Sequence, residues 1–489
     1  MQKKILQHVF LPIFGVLALL LFVQRIWNAV FLQHIRTSDY SGDIFRTTMQ
    51  NTYAPMYQFQ DYDALNVWTV ACSLAVCIIL LVLYKVITQN IAQGRNVLAD
   101  KRSIYGVAAL QIILTALFGL MHGTDRWLVL THHYEGFTFG LPFCGGSFAQ
   151  MLHEYSNIMA APNMGAHLNH YPPGNLTLLL LSQTLGRLWF AKIIVLAASV
   201  ATLWQMRRIA TYLSIGNDIT TLILLLYATN TGILIFPSLD FAALLPFFAT
   251  WIVAAFLRLM PANSVANKVE LGIAVSAFTF FSFNIAVVLC FILCWFLVEI
   301  LSLLWIKNAD LSGNPSIFIQ KTPLLLSNIF VFILIYFIIY KTTDFDIIQC
   351  FRTGIANNSK LMNYDAFDSF TRYLLRSTGN LLAYCIGSLG IIPTILFVLS
   401  IKKTTNSAPY PAQNWLFTCV LFCLFAAFST LFVGETERVW LYFTPFILLA
   451  LAPLLTAWQS VFGWRLVLVL LGANAIITLC IEIFFHHIC

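Results

Sequence analysis

Charge is scarce in this chain. Of 489 residues only 10% are Asp, Glu, Lys or Arg, while 60% are hydrophobic. Soluble domains carry about 25% charged residues, so the deficit excludes an ordinary soluble protein. Other absences narrow the class further. No Gly-rich dinucleotide loop and no alternating soluble α/β pattern occurs, and no Lys/Arg-rich run of the nucleic-acid kind. The formal net charge of +7 is what a membrane protein gathers in its cytoplasmic loops, so it implies no nucleic-acid partner. The eleven cysteines are scattered, and most sit inside apolar runs (Cys72, Cys77, Cys385, Cys419, Cys423, Cys480). Cys290 and Cys294 have helical spacing within lipid-grade sequence. None of this is a zinc or disulfide framework. The cysteines read as small packing residues.

What the chain has in abundance is long apolar runs. Each is long enough to cross a hydrocarbon core about 30 Å thick as a helix. Only helices and closed barrels satisfy the backbone in lipid, and continuous rather than alternating runs select helices. The expected fold is therefore an all-α polytopic membrane protein of about 12–13 spans. They are placed at 9–31, 66–84, 104–122, 189–206, 218–236, 240–258, 271–283, 284–305, 323–340, 381–400, 415–432, 440–457 and 465–485. The basic start followed by an apolar run reads as a retained first span, because no small-residue cleavage site follows it.

Orientation follows from Lys and Arg. Lys3 and Lys4, Lys85 to Arg102, Arg207 and Arg208, Lys268, Lys307, Lys321, Lys402 and Lys403 all fall on one side with these spans. That side is assigned to the cytoplasm, together with the N-terminus. The opposite side receives the acidic loop after the first span, segments 123–188 and 341–380, the "PSLD" turn and "GETERVW". The polar segments of the chain thus face outward together. On this reading 1–103 forms two N-terminal helices with an acidic outer loop. Residues 104–489 form the main transmembrane unit.

Segment 123–188 is too long for a simple turn, and loops of that size are usually functional. Within it, "NLTLLLLSQTL" is shorter than a span and is expected to lie as a helix at the outer membrane surface. His170-Tyr-Pro-Pro-Gly174 leads into it. The prolines hold the chain extended, Gly174 permits close backbone approach, and Asn175 is placed to cap the helix. The segment reads as a rigid bracket that sets imidazoles and an aromatic ring at the lip of that helix.

These residues carry a resemblance. The outer loop ending in Tyr-Pro-Pro-Gly, the "GRLWFAK" junction, the span closing on "LWQMRRIA", the "LIFPSLDFAALL" turn and "GETERVWLYFTPFILLALAPLL" together resemble the GT-C superfamily of integral-membrane glycosyltransferases, the bacterial mannosyltransferase and arabinosyltransferase-like group. The resemblance covers roughly residues 104–460. It implies a GT-C-like fold and transfer of a sugar from a polyprenyl-phosphate-linked donor to a glycan, lipid or protein acceptor. The transfer would take place on the extracytoplasmic face of a bacterial plasma membrane, with inversion and with a carboxylate base in the first large outer loop. No nucleotide sugar, cofactor or metal is implied. Two additional spans precede the resembling unit here, which leaves the identity of the base open.

Four acids compete for the role of base, since inversion needs an ionised carboxylate to take the acceptor proton. Asp39 and Asp43 follow the first span, Asp125 follows the third, and Glu154 lies nearer the bracket. As ordinary loop charges or helix caps they would need no further role. His167, His170 and Tyr171 are candidates for sugar or phosphate contact. No metal-ligand pattern joins the histidines, and Tyr171 offers an apolar face with a polar tip. Arg438 is the candidate for the departing lipid phosphate, which a fixed guanidinium can bind bidentately. Glu435 or Glu437 is placed to orient it. Asp240 is a carboxylate at a helix start, where the dipole favours it. The competing classes are a transporter or flippase of lipid-linked saccharide and an O-antigen polymerase or ligase. Transport predicts broken helices and ionisable groups within spans, whereas the expected spans carry few such groups and show no internal repeat.

Overall fold

The computed structural model describes residues 57–59 and 67–487, apart from 95, 122, 130–133, 135, 162–167, 261–263, 306–315, 362–369, 403–409 and 430–439. The expected span 9–31 lies outside the described residues. Beyond it the apolar runs become helices almost where the sequence places them. They are α1 (Val67–Ala92), α2 (Ser103–Leu120), then three shorter helices α3 (Asp125–Leu128), α4 (Phe148–Ala160) and α5 (Gly174–Thr184). There follow α6 (Phe190–Tyr212), α7 (Asn217–Ala228), α8 (Thr231–Ile235), α9 (Leu245–Leu259), α10 (Val265–Phe281), α11 (Ile285–Trp305) and α12 (Ser316–Thr343). The chain ends with α13 (Ile347–Leu361), α14 (Phe370–Ala383), α15 (Ile391–Lys402), α16 (Tyr410–Phe428), α17 (Thr444–Ala450), α18 (Ala452–Phe462) and α19 (Trp464–Phe484).

Six described helices are long and apolar enough to cross a membrane, or nine if each bent pair is one span. The protein is a multi-pass, all-α membrane protein. Among the described residues the sole strand pairing is a short antiparallel contact of β1 (Tyr57–Phe59) with β2 (Phe485–His487). Helix α6 packs on α9, α9 on α10 and α10 on α12, while α11 pairs with α16. Helix α9 is buried over most of its length, whereas α1 turns Val70, Leu74, Ile78 and Leu81 outward. In a bilayer that outer face meets lipid. Arg207 donates to the carbonyl of Lys101 at 2.6 Å, and Arg208 and Arg258 both pair with Glu270. Basic residues that the charge pattern assigns to one side thus gather at one end of the bundle. Lys192 and Arg207 lie near opposite ends of α6, about 22 Å apart along its axis at 1.5 Å per residue.

Three expected spans are not straight. The stretch expected at 218–236 breaks between α7 and α8 with a bend of 58°, and that at 440–457 bends by 41° and runs on to Phe462. The one expected at 381–400 turns by 118°. There α14 continues into a π-turn at Tyr384–Ser388, and Gly390, with φ of +83°, makes the corner before α15. A left-handed backbone suits glycine.

Broken helices in lipid expose backbone groups that water cannot satisfy, and side chains satisfy them here. Asn230 caps α8, accepting the Ile233 N–H at 3.5 Å, and its amide donates to the carbonyl of Leu389. Asn474 of α19 donates to the carbonyl of Thr229 at 3.0 Å, and Thr478 donates to the same oxygen at 3.2 Å. Thr231 and Thr478 share a further hydrogen bond of 3.1 Å. Two of the three breaks, after α7 and before α15, therefore meet at one buried polar knot held by α19.

The helix expected at the membrane surface also differs. Helix α5 forms as anticipated, but Gly174, Asn175, Leu176, Leu178, Leu179, Leu180 and Ser182 are buried. It packs on α6 and α10 and on the 3₁₀ turn Thr138–Cys144. Its leucines fall on more than one side of the helix, so one-sided contact with a membrane surface could not cover them.

Asn474→Leu removes the amide that donates to both the carbonyl and the hydroxyl of Thr229, leaving Thr478 as the carbonyl's other donor. It should lower unfolding stability by roughly 1–2 kcal/mol. A thermal melt in detergent, compared with the exposed-site variant Ile476→Leu, measures the loss.

Candidate functional site

Lys192, Asp240 and Glu482, all buried, collect with Arg126 at the end of α6 opposite Arg207, while Glu299 of α11 is buried apart from them. Helix α3 opens with Asp125 immediately after α2, and the indole of Trp127 donates to the carbonyl of Ala116 at 3.3 Å, fixing α3 against the end of that span. Arg126 turns inward. Its guanidinium is 8% exposed and forms an ion pair with Glu482 of α19, whose carboxylate is fully buried. Nε of Arg126 donates to Oγ of Ser238 at 3.1 Å, and Ser238 in turn donates to the carbonyl of Ile235. Nη2 of Arg126 is buried and has no hydrogen-bond partner among the described residues.

Lys192 of α6 is fully buried beneath α3. Its ammonium donates to the carbonyls of Arg126 at 2.6 Å and Val129 at 2.8 Å, and it lies 5.2 Å from the ring centre of Tyr134. Two carbonyls and an aromatic face partly replace the water that the cation loses. Tyr134 donates to the carbonyl of Pro237 at 3.0 Å and packs on Phe241 with ring centres 4.4 Å apart. Burial, and after it the charge of Asp240, pushes the Tyr134 phenol well above its ordinary range. Asp240 is buried and caps the 3₁₀ turn Phe241–Leu244, accepting the Ala242 N–H at 2.7 Å. The helix-start role read from the sequence is realised, in a buried rather than a surface setting.

The bracket joins this cluster through a line of rings. Phe137 meets Phe241 at 5.4 Å and Tyr171 at 5.6 Å, so Tyr134, Phe241, Phe137 and Tyr171 form a continuous aromatic path. Tyr171 is half-buried, and its carbonyl accepts the Tyr155 hydroxyl at 2.7 Å. An added Cβ at Gly174 would stand 2.6 Å from the carbonyl oxygen of Phe280, so the expected close approach is real and its partner is α10. His170 is half-buried in the same turn. Glu154, half-buried on α4, accepts the Asn157 amide at 2.8 Å. That bond keeps Glu154 within its own helix, while its neighbour Tyr155 holds the bracket.

Of the residues singled out in the sequence, Tyr171 and Asp240 are therefore brought together, and Asp125 stands beside Arg126 in the chain. Asp39, Asp43, His167, Glu435, Glu437 and Arg438 lie outside the described residues, as does the side chain of Asp125. Sequence reading passed over Arg126, Lys192, Glu482 and Tyr134. A signal existed for two of them. Lys192 and Glu482 sit inside apolar runs, and an ionisable residue within a span marks a functional site by default. Among the described residues no group of three or more His, Cys, Asp or Glu could hold a metal ion.

No protein-family model matches the chain. No curated protein matches it closely enough to stand as a relative.

The ion pair generates its own test. Removing one partner of a buried pair leaves an uncompensated charge, at a cost of roughly 3–5 kcal/mol. Glu482→Ala should lose about that much stability, and the double variant Arg126→Met with Glu482→Leu should recover most of it. Equal losses in single and double variants, measured by unfolding in detergent, would show that the pair does not couple α3 to α19.

Proposed function

We propose that the protein is an integral-membrane glycosyltransferase that moves a sugar from a polyprenyl-phosphate-linked donor to an extracytoplasmic glycan, lipid or protein acceptor, with inversion. The observation that carries the reading is Arg126: a buried guanidinium, fixed on two sides by Glu482 and Ser238, with Nη2 left without a partner. It adjoins Asp125, the acid that directly follows a span, and lies at the bundle end that also carries the bracket.

In this reading the acceptor hydroxyl attacks the anomeric carbon while a carboxylate takes its proton. The bond to the donor phosphate oxygen breaks, and negative charge develops on the polyprenyl phosphate. Asp125 is the base, and Arg126 accepts the phosphate charge through its free edge. Tyr171, presented by the bracket, is placed to stack on a sugar. Asp240 and Tyr134 hold the wall between them. The basic end of the bundle then faces the cytoplasm, with the N-terminus, and the cluster faces outward across a bacterial plasma membrane.

Membranes containing the protein, supplied with radiolabelled polyprenyl-phosphate sugars, should transfer label to acceptor. Asp125→Asn should reduce transfer roughly a hundredfold or more at unchanged protein level. Arg126→Lys, which keeps a charge for Glu482 but lacks the second nitrogen, should reduce it comparably. Failure of the unsubstituted protein to transfer label from any such donor sinks the reading. A second reading, movement of a lipid-linked saccharide across the bilayer, draws on the broken spans meeting at Asn230 and Asn474. It also draws on Glu299, buried within α11 and hydrogen-bonded to Asn414 at 2.9 Å. Label that crosses sealed vesicles while still on its carrier would favour that alternative.

A further inference from the structure

Helix α13 has three distinct faces. One is docked. Cys350 is buried against Met159, with sulfurs 3.2 Å apart, and Gly354 lies where a Cβ would come within 3.0 Å of Phe283 and 3.5 Å of the carbonyl of His170. Asn357 donates to the carbonyls of both Met159 and Asn169 at 3.1 Å, so one amide closes the two ends of the stretch that leads into the bracket. A second face is polar, with Gln349 and Arg352 exposed. The third is apolar and largely open: Phe351 meets the Phe283 ring at 5.2 Å along one edge, yet Ile348, Phe351 and Ile355 remain 60%, 43% and 54% exposed. Their spacing of three and four residues places them in one stripe.

The position of this stripe identifies what covers it. Helix α12 ends at Thr343, and its outward side carries exposed Ile333, Leu334, Phe337 and Ile338, the apolar belt expected of the span read at 323–340. Near its end the ammonium of Lys341 lies 5.7 Å from the ring centres of both Phe337 and Tyr340. A lysine stem laid over aromatic rings with its head beyond them is the arrangement found where a span leaves lipid. The chain then turns at Asp344, whose φ is +57°. Asp346 accepts the N–H groups of Ile348 and Gln349 at 2.8 and 3.2 Å and starts α13 at once. Helix α13 thus begins within a few residues of the lipid boundary, with one apolar side still uncovered.

We propose that α13 lies in the membrane interface with Ile348, Phe351 and Ile355 inserted among the acyl chains, so that the bilayer surface itself supports the bracket through Asn357 and Gly354. A helix with a docked side, an apolar side and a charged side at this depth fits a phospholipid surface. The proposal holds whether or not the protein transfers sugars.

A nitroxide introduced by Ile355→Cys, and separately by Gln349→Cys, tests it. The full-length protein is reconstituted into vesicles of phosphatidylethanolamine and phosphatidylglycerol, and the signal of the equally treated unsubstituted chain is subtracted. Oxygen concentrates in acyl chains and a water-soluble nickel chelate is excluded from them. The ratio of oxygen to nickel collisions at 355 should exceed that at 349 at least tenfold. Ile348→Cys repeats the measurement on the same face should the 355 variant fail to fold. Equal access of the nickel chelate to 355 and 349 would overturn the proposal by placing the face in water. Shielding of 355 from both reagents would overturn it by showing a protein partner or a second copy on that face.

Discussion

Water is missing from the hydrocarbon interior, and every backbone N–H and C=O must find its partner within the protein. That constraint makes each long apolar run a helix, and it also decides what happens where a helix stops inside the bundle. The breaks after Ala228 and at Gly390 expose carbonyls at one depth. Asn230, Asn474, Thr231 and Thr478 supply the missing donors and acceptors. Helix α19 is therefore more than another wall of the bundle. Its middle carries the amide that seals one break, and its end carries the carboxylate that neutralises Arg126.

The same constraint acts on charge. A bare arginine or lysine at the end of a span would be drawn toward water, yet Arg126 and Lys192 point inward. Glu482, Ser238 and the carbonyls of α3 hold them there. Buried pairs of this kind rarely stabilise a protein relative to apolar packing. In a chain so poor in charge they stand apart from the apolar packing around them. Tyr134 and the aromatic path to Tyr171 then tie the charged cluster to the bracket, so the polar centre and the bracket share one rigid wall.

Apolar run length, a one-dimensional property, was enough to place most helices, including the break near Phe283 that separates α10 from α11. The bends were harder to read. Nothing in the hydropathy of 381–400 distinguishes a straight helix from one that corners at Gly390, because the satisfying groups come from Asn230, far away in sequence. The same applies to α5. Its length signalled a non-crossing helix, but only the positions of α6 and α10 decide that its leucines are buried. At the site, Tyr171 and Asp240 were legible because turn chemistry and helix starts are local features. Arg126 and Tyr134 were not, since their roles arise from contacts with Glu482, Lys192 and Asp240 that no local pattern encodes. Lys192 and Glu482 were visible in principle, as ionisable residues within apolar runs.

The pairing of Arg126 with Glu482 joins positions 356 residues apart, and this bears on biosynthesis. A chain emerging into the membrane from its N-terminus makes α3 long before α19. Until α19 is inserted, Arg126 lacks the carboxylate of Glu482 and Thr229 lacks the amide of Asn474. A nascent chain that has yet to insert α19 therefore holds an incomplete polar centre, and α19 acts as the keystone that closes it. Completion of the cluster is in effect a molecular signature that the chain has been threaded as far as α19.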